Sequence, residues 1–142
     1  MLRRWQARFP ELNLDDGVRP IATLLKRTKL YVSTYNATTY LESLSLNFPT
    51  LIFWNPKHWE LRESALPYFK KLKSVGIFHE TPESAAQQMA TVWNDVSGWW
   101  QSRVVQSVRQ QFCENYARIP INPLDVMENF FRNISKNKRA CQ

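Results

Sequence analysis

Glycine is scarce in this chain of 142 residues, occurring only as Gly17, Gly76 and Gly98. No two of them can belong to a GxGxxG or GxxxxGK(S/T) loop, so the familiar glycine-built phosphate cradles are excluded. Any phosphate site must be built some other way. Cysteine is nearly as rare. Cys113 falls in a helical pattern and Cys141 is penultimate, which argues against a structural disulfide and suits a reducing compartment. The two histidines, His58 and His79, lie at metal-ligand spacing from neither each other nor a cysteine, so no zinc or other metal is expected. Long apolar runs are also lacking. The longest strand-like core is Leu51-Ile52-Phe53-Trp54, far short of the roughly 20 residues of a bilayer-spanning helix.

What is present points to one folded domain. The chain is 44% hydrophobic and 13% aromatic, enough for a buried core at this length. Its net charge of +7 is unevenly spread. Residues 1–29 hold seven basic and three acidic side chains, and residues 132–142 hold four basic and none acidic. Residues 30–131 hold eight basic and nine acidic, so the positive charge belongs to the two ends. A nucleic-acid surface runs more typically along one face with interleaved aromatics, and no specific nucleic-acid partner is expected. The start, Met1–Arg8, has no apolar core of a secretory signal, and its freedom from acids gives it some transit-peptide character.

Short strands alternate with helices along the chain. Glu11–Asp15 reads as a short strand before an Asp16-Gly17 turn, and Pro20 opens a helix over Ile21–Thr28. Leu30–Thr34 is a β-rich run, followed by a polar turn and a helix from Thr39 that ends at Asn47. Thr50–Trp54 is a second strand. Glu60–Val75 is amphipathic, with Pro67 kinking or restarting the helix and Gly76 at its end. Ile77-Phe78 is a short strand, and Thr81-Pro82 caps a helix over Glu83–Trp93. Asp95–Gly98 breaks the chain, helix resumes over Gln101–Arg118, and Asn122-Pro123 opens a last helix. The expected fold is therefore α/β, a Rossmann-like parallel sheet with C-terminal helices packing back across it. Residues 1–135 form the single domain and residues 136–142 a basic tail.

Ligands of such sheets bind beyond the carboxyl ends of the strands. The first such place is Ser33-Thr34-Tyr35-Asn36-Ala37-Thr38-Thr39, where hydroxyls and amides meet a helix N-terminus. That arrangement can hold phosphate without glycine. Glu42, one turn into the helix, either completes a capping box with Thr39 or bonds the ribose hydroxyls of a nucleotide. The second place is Asn55-Pro56-Lys57-His58-Trp59. Lys57 there can neutralise a phosphate, His58 can transfer a proton as the one candidate catalytic group, and Trp59 can stack on a base. The same residues equally make a plain proline turn with exposed charges. His79 with Glu80 could mark another strand end. Trp93, Trp99 and Trp100 suit either a core or a sugar-stacking platform.

The run Ser33-Thr34-Tyr35-Asn36-Ala37-Thr38-Thr39-Tyr40-Leu41-Glu42-Ser43-Leu44 resembles the C-terminal part of a bacterial family of transferases found in surface-carbohydrate and lipopolysaccharide O-antigen gene clusters. More distantly it is similar to GT-B glycosyltransferases and to the glycerophosphotransferases of teichoic-acid synthesis. The resemblance continues through Asn47-Phe48-Pro49-Thr50, Phe53–Arg62, Gly76–Glu80, Trp93–Val96 with Trp99-Trp100, and Phe112–Ala117, covering roughly residues 9–118. It implies the C-terminal half of a GT-B fold, the half that binds a nucleotide-sugar donor. It implies a phosphate role for Ser33, Thr34, Asn36, Thr38 and Thr39 and a ribose role for Glu42. The usual glycine of the GT-B turn is absent, so hydroxyls as well as amides would meet the phosphates.

Such families are several times longer than this chain and carry the acceptor domain and catalytic base upstream. The resemblance thus implies a donor half, a fragment inactive alone, with a nucleotide-activated sugar as substrate and no separate cofactor or metal. It further implies a missing acceptor domain as partner. The complete enzyme would be cytoplasmic, at the inner face of the cytoplasmic membrane through peripheral association. The alternative is a non-enzymatic Rossmann-like module that binds a nucleotide or a partner protein.

Overall fold

The computed structural model describes residues 2–15 and 17–139. In chain order, the elements begin with helices α1 (Leu2–Arg8) and α2 (Ile21–Leu25), strand β1 (Tyr31–Ser33) and helix α3 (Thr38–Ser45). Strand β2 (Thr50–Phe53), helix α4 (Leu66–Ser74) and strand β3 (Phe78–His79) follow. Five further segments close the order: α5 (Pro82–Val92), a 3₁₀ turn at Trp93–Asp95, α6 (Val96–Gln101), α7 (Arg103–Tyr116) and α8 (Pro123–Arg139). The architecture is mixed α/β around a small parallel sheet of order β1-β2-β3. Tyr31 pairs with Thr50, and Ile52 with Phe78. Each strand is followed by a helix, because parallel neighbours need a crossover to return the chain to the same sheet end.

The central strand β2 explains the layers. Thr50, Leu51 and Ile52 are all fully buried, and successive side chains of a strand point to opposite faces. Ile52 and Trp54 join Tyr40 and Leu44 of α3, Phe69 and Leu72 of α4, and Phe112 of α7 in one core. Leu51 joins Leu30, Val92 and Val96 in a second, smaller one. Helices therefore cover both faces, as the near-continuous apolar run of β2 requires. The larger core is rich in edge-on aromatic contacts, with Phe69 at 5.5 Å from Trp54, 5.1 Å from Phe78 and 5.3 Å from Phe112.

Helix ends set the turns that feed the sheet. Helix α3 stops at Asn47, which takes the left-handed conformation at φ 54°. The Asn47 N–H bonds Leu44 O at 3.1 Å and the Phe48 N–H bonds Ser43 O at 2.9 Å, a Schellman closure that aims Pro49 into β2. Arg109 of α7 donates to Leu44 O at 3.0 Å, placing a cation at the negative end of the α3 dipole. At this same lower end of the sheet, the fully buried Trp100 donates its indole N–H to Asn47 O and Oδ1, both at 3.0 Å. Trp99 donates likewise to Val75 O at 3.1 Å.

Several expectations are corrected. Glu11–Asp15 is not a strand: the Asp15 carboxylate accepts the Gly17 N–H at 2.8 Å and pairs with Arg19 at 2.6 Å, and such local bonds favour a loop. The helix expected over Ile21–Thr28 ends at Leu25, and the helix expected from Glu60 begins only at Leu66, where Pro67 occupies its first turn. Asp95 interrupts the chain as expected, yet it caps α6 through the Gly98 N–H at 2.8 Å. Extended Ser102 (ψ 140°) then separates α6 from α7. Of the C-terminal helices, α7 packs back onto α3 and α4. Helix α8 does not: the side chains described along it are all exposed. It runs to Arg139, and residues 140–142 lie outside the described ones.

This division of labour predicts unequal costs for similar truncations. Phe112→Ala should lower unfolding free energy by about 3–5 kcal/mol, whereas Phe131→Ala should change it by less than about 0.5 kcal/mol. Urea titration of both variants checks the contrast; a comparable loss in Phe131→Ala would mean that α8 contributes to the core.

Candidate functional site

The loops beyond the carboxyl ends of β1 and β2 come together. Ser33, only 2% exposed, donates its hydroxyl to Tyr35 O at 3.2 Å, and the Ala37 N–H reaches the same carbonyl at 3.0 Å. Asn36 Oδ1 accepts the Tyr40 hydroxyl at 3.1 Å, and Thr39 Oγ1 accepts the Tyr31 hydroxyl at 2.9 Å. Burial pushes the Tyr40 phenol up to about 12, so it remains a neutral donor at physiological pH. Ser33, Asn36 and Thr39 thus spend their side chains on building the turn. Thr34 and Thr38 remain exposed.

The start of α3 is open. Its cap residue is Ala37, in extended conformation, and no side chain accepts a bond from the first helical amides. The capping box between Thr39 and Glu42 therefore does not form, because the helix begins at Thr38 and Thr39 is already inside it. By contrast, Thr81 caps α5 through the Ser84 N–H. The amides of Thr38, Thr39 and Tyr40 occupy the positions at which a helix leaves donors unpaired and its dipole positive. Glu42 is exposed one turn further on.

After β2 the chain makes a tight turn. Asn55 Oδ1 accepts the Lys57 N–H at 2.9 Å and Asn55 O accepts the His58 N–H at 3.0 Å, leaving both side chains exposed. The Trp59 ring lies 6.3 Å from Tyr35, so an aromatic pair joins the two loops. Both rings are about half exposed. In the sequence, Tyr35 is marked only as an aromatic residue inside an otherwise polar turn. Below the loops, Trp54 is buried beside Tyr40 at 5.6 Å, and its indole N–H has no partner among the described residues.

The other candidates separate from this place. His79 is buried, with Nε2 at 3.1 Å from Gly76 O and Nδ1 at 2.8 Å from Ser84 Oγ. A carbonyl only accepts, so Nε2 carries the proton and Nδ1 receives the serine hydroxyl. Burial, with Lys73 nearby, holds His79 below its usual value. Glu80 pairs with Lys73 at 2.6 Å. The third strand end is thus occupied by internal bonds. Trp99 and Trp100 are core and helix-docking residues at the opposite end of the sheet, which overturns the stacking-platform alternative for them. Exposed Trp93 carries Lys29 over its ring at 4.9 Å. Cys113 is half-buried and unbridged, and Cys141 lies outside the described residues. No group of three or more metal-ligating side chains occurs among the described residues.

A family model described as LIC12162 family transferase matches residues 2–131. No curated protein and no solved structure matches the chain.

The buried His79 makes stability pH-dependent. Its folded value lies below the ordinary histidine value of 6.5, so the unfolded chain takes up the proton first. Stability should be full above 6.5 and fall as the pH drops through the window beneath it. Denaturation midpoints across that range check this, with His79→Gln expected to flatten the fall; an unchanged slope would assign it to other groups.

Proposed function

The chain belongs to the LIC12162 family of transferases, matched across residues 2–131, and on that premise we propose that it binds a nucleotide-activated sugar through the β1–α3 turn. The reading takes the sheet as the Rossmann-like, donor-binding half of a GT-B glycosyltransferase acting in bacterial surface-polysaccharide or O-antigen synthesis. The observation that carries it is the open N-terminus of α3 at the carboxyl end of β1, with Glu42 exposed one turn away. Amides of Thr38, Thr39 and Tyr40 and the hydroxyls of Thr34 and Thr38 bind the diphosphate. Ser33, Asn36 and Thr39 hold the turn in shape for them. Glu42 accepts the ribose hydroxyls, Lys57 adds positive charge, and the Tyr35–Trp59 pair stacks on the base.

The chemistry is stabilisation of a leaving group. As the bond between anomeric carbon and phosphate oxygen breaks, negative charge grows on the nucleoside diphosphate. Preorganised amides and a helix dipole oppose that charge without a metal ion. The acceptor hydroxyl attacks from a cleft face supplied by an acceptor domain, which is also the source of the catalytic base. His58 is the one group of these loops suited to proton transfer. On this reading the chain by itself binds donor and transfers nothing, in the cytoplasm at the inner membrane face.

Isothermal titration with UDP, CDP, GDP and CMP tests the proposal. One nucleoside diphosphate should bind, and Glu42→Ala should weaken it about tenfold or more through loss of a charged hydrogen bond. Absence of binding at millimolar nucleotide, or binding indifferent to Glu42→Ala, would sink the assignment. Salt-sensitive DNA binding in place of nucleotide binding would point instead to the basic ends.

A further inference from the structure

Helix α8 presents an apolar face whose described side chains are exposed. Leu124, Val126, Met127, Phe130, Phe131 and Ile134 are between 41% and 78% exposed. At 100° per residue they fill one contiguous arc, while Asp125, Glu128 and Arg132 lie on the other side. Ile119 and Ile121, just before the helix, are 69% and 98% exposed. So large a continuous apolar surface marks a place where something docks. The charge says what. Glu128 is already paired with Arg132 at 2.6 Å. The sequence from residue 132 onward holds four basic residues and no acid.

We propose that α8 is an interfacial helix that lays this apolar face into an anionic lipid bilayer, the four basic residues of the sequence from 132 onward supplying the charge that draws it there. A second copy of the chain is the less suitable occupant, because each copy carries +7 and the two would repel. A nucleic acid would use the cations and leave the apolar arc in water. A bilayer uses both, and no helix among the described residues is long and apolar enough to cross it. The opposite end of the chain repeats the chemistry in small. Acid-free α1 exposes Trp5, whose ring stacks on Phe9 at 5.9 Å, with Arg8 over the Phe9 ring at 5.8 Å. Tryptophan and basic residues together favour the headgroup region. The inference does not depend on nucleotide binding.

Vesicle flotation of the full chain tests it, with equimolar phosphatidylglycerol and phosphatidylcholine against phosphatidylcholine alone. Binding should be about tenfold or more stronger to the anionic vesicles. The double variant Phe130→Asp/Phe131→Asp should abolish binding with an unchanged melting curve, since no described α8 side chain is buried. Lys136→Glu/Arg139→Glu, two positions outside the apolar arc, should weaken binding about tenfold while leaving that arc intact. No flotation with anionic vesicles, equal flotation with neutral ones, or flotation unaffected by the aspartates would overturn the proposal. So would a dimer in sedimentation, dissolved by the aspartates, in a chain that ignores vesicles.

Discussion

Covering both faces of β2 is the constraint from which the rest of the structure follows. The strand has four residues, three of them without solvent contact. Its alternating side chains demand two separate apolar layers. Helices α3, α4 and α7 supply one, built on aromatic edges around Phe69; α5 and the start of α6 supply the other through Val92 and Val96. With helices on both faces and a strand on either side, only the ends of β2 stay open. Trp99 and Trp100 close the lower end by bonding backbone carbonyls next to β2 and β3. The upper end is left to the loops, and among them the β1–α3 turn combines a rigid frame with an uncapped helix start.

The rigidity of that turn comes from short-range bonds. Ser33, Asn36 and Thr39 each hold a neighbour, and Tyr31 and Tyr40 bring phenol groups from strand and helix to do so. Preorganisation of this kind matters for a site that binds a charged group, because donors already fixed need not reorganise when charge arrives. It also divides the polar residues of the turn into those that build it and those that face solvent. The lack of glycine fits this division. Asparagine, serine and threonine side chains stabilise a turn by bonding backbone atoms, where a glycine loop would rely on permissive φ.

Much of this was legible in the sequence. The order of strands and helices from Leu30 to Trp93 follows from apolar runs punctuated by Asn47, Pro49, Pro67, Gly76 and Thr81-Pro82. Each mark has a local mechanism: left-handed Asn47 closes α3, and Thr81 caps α5. The errors lie where tertiary context decides. A strand at Glu11–Asp15 was plausible by alternation, yet Asp15 turned inward on Gly17 and Arg19. The periodicity of α8 was visible too, but an amphipathic pattern says that a face is apolar and not what covers it. The site was legible as a segment, while the division among its residues was not. Which hydroxyl meets a tyrosine, and that Tyr35 meets Trp59, depend on how two loops cross in space.

On the function proposed here, the β1–α3 turn receives a nucleoside diphosphate. Amide-resolved NMR of the chain during titration with the diphosphate that binds best tests it most directly. The largest shifts should fall at the amides of Thr38, Thr39 and Tyr40, with the Trp59 indole moving as well and the amides around His79 and Trp100 nearly still. Shifts centred on α7 or on the basic ends, with the start of α3 unchanged, would contradict it.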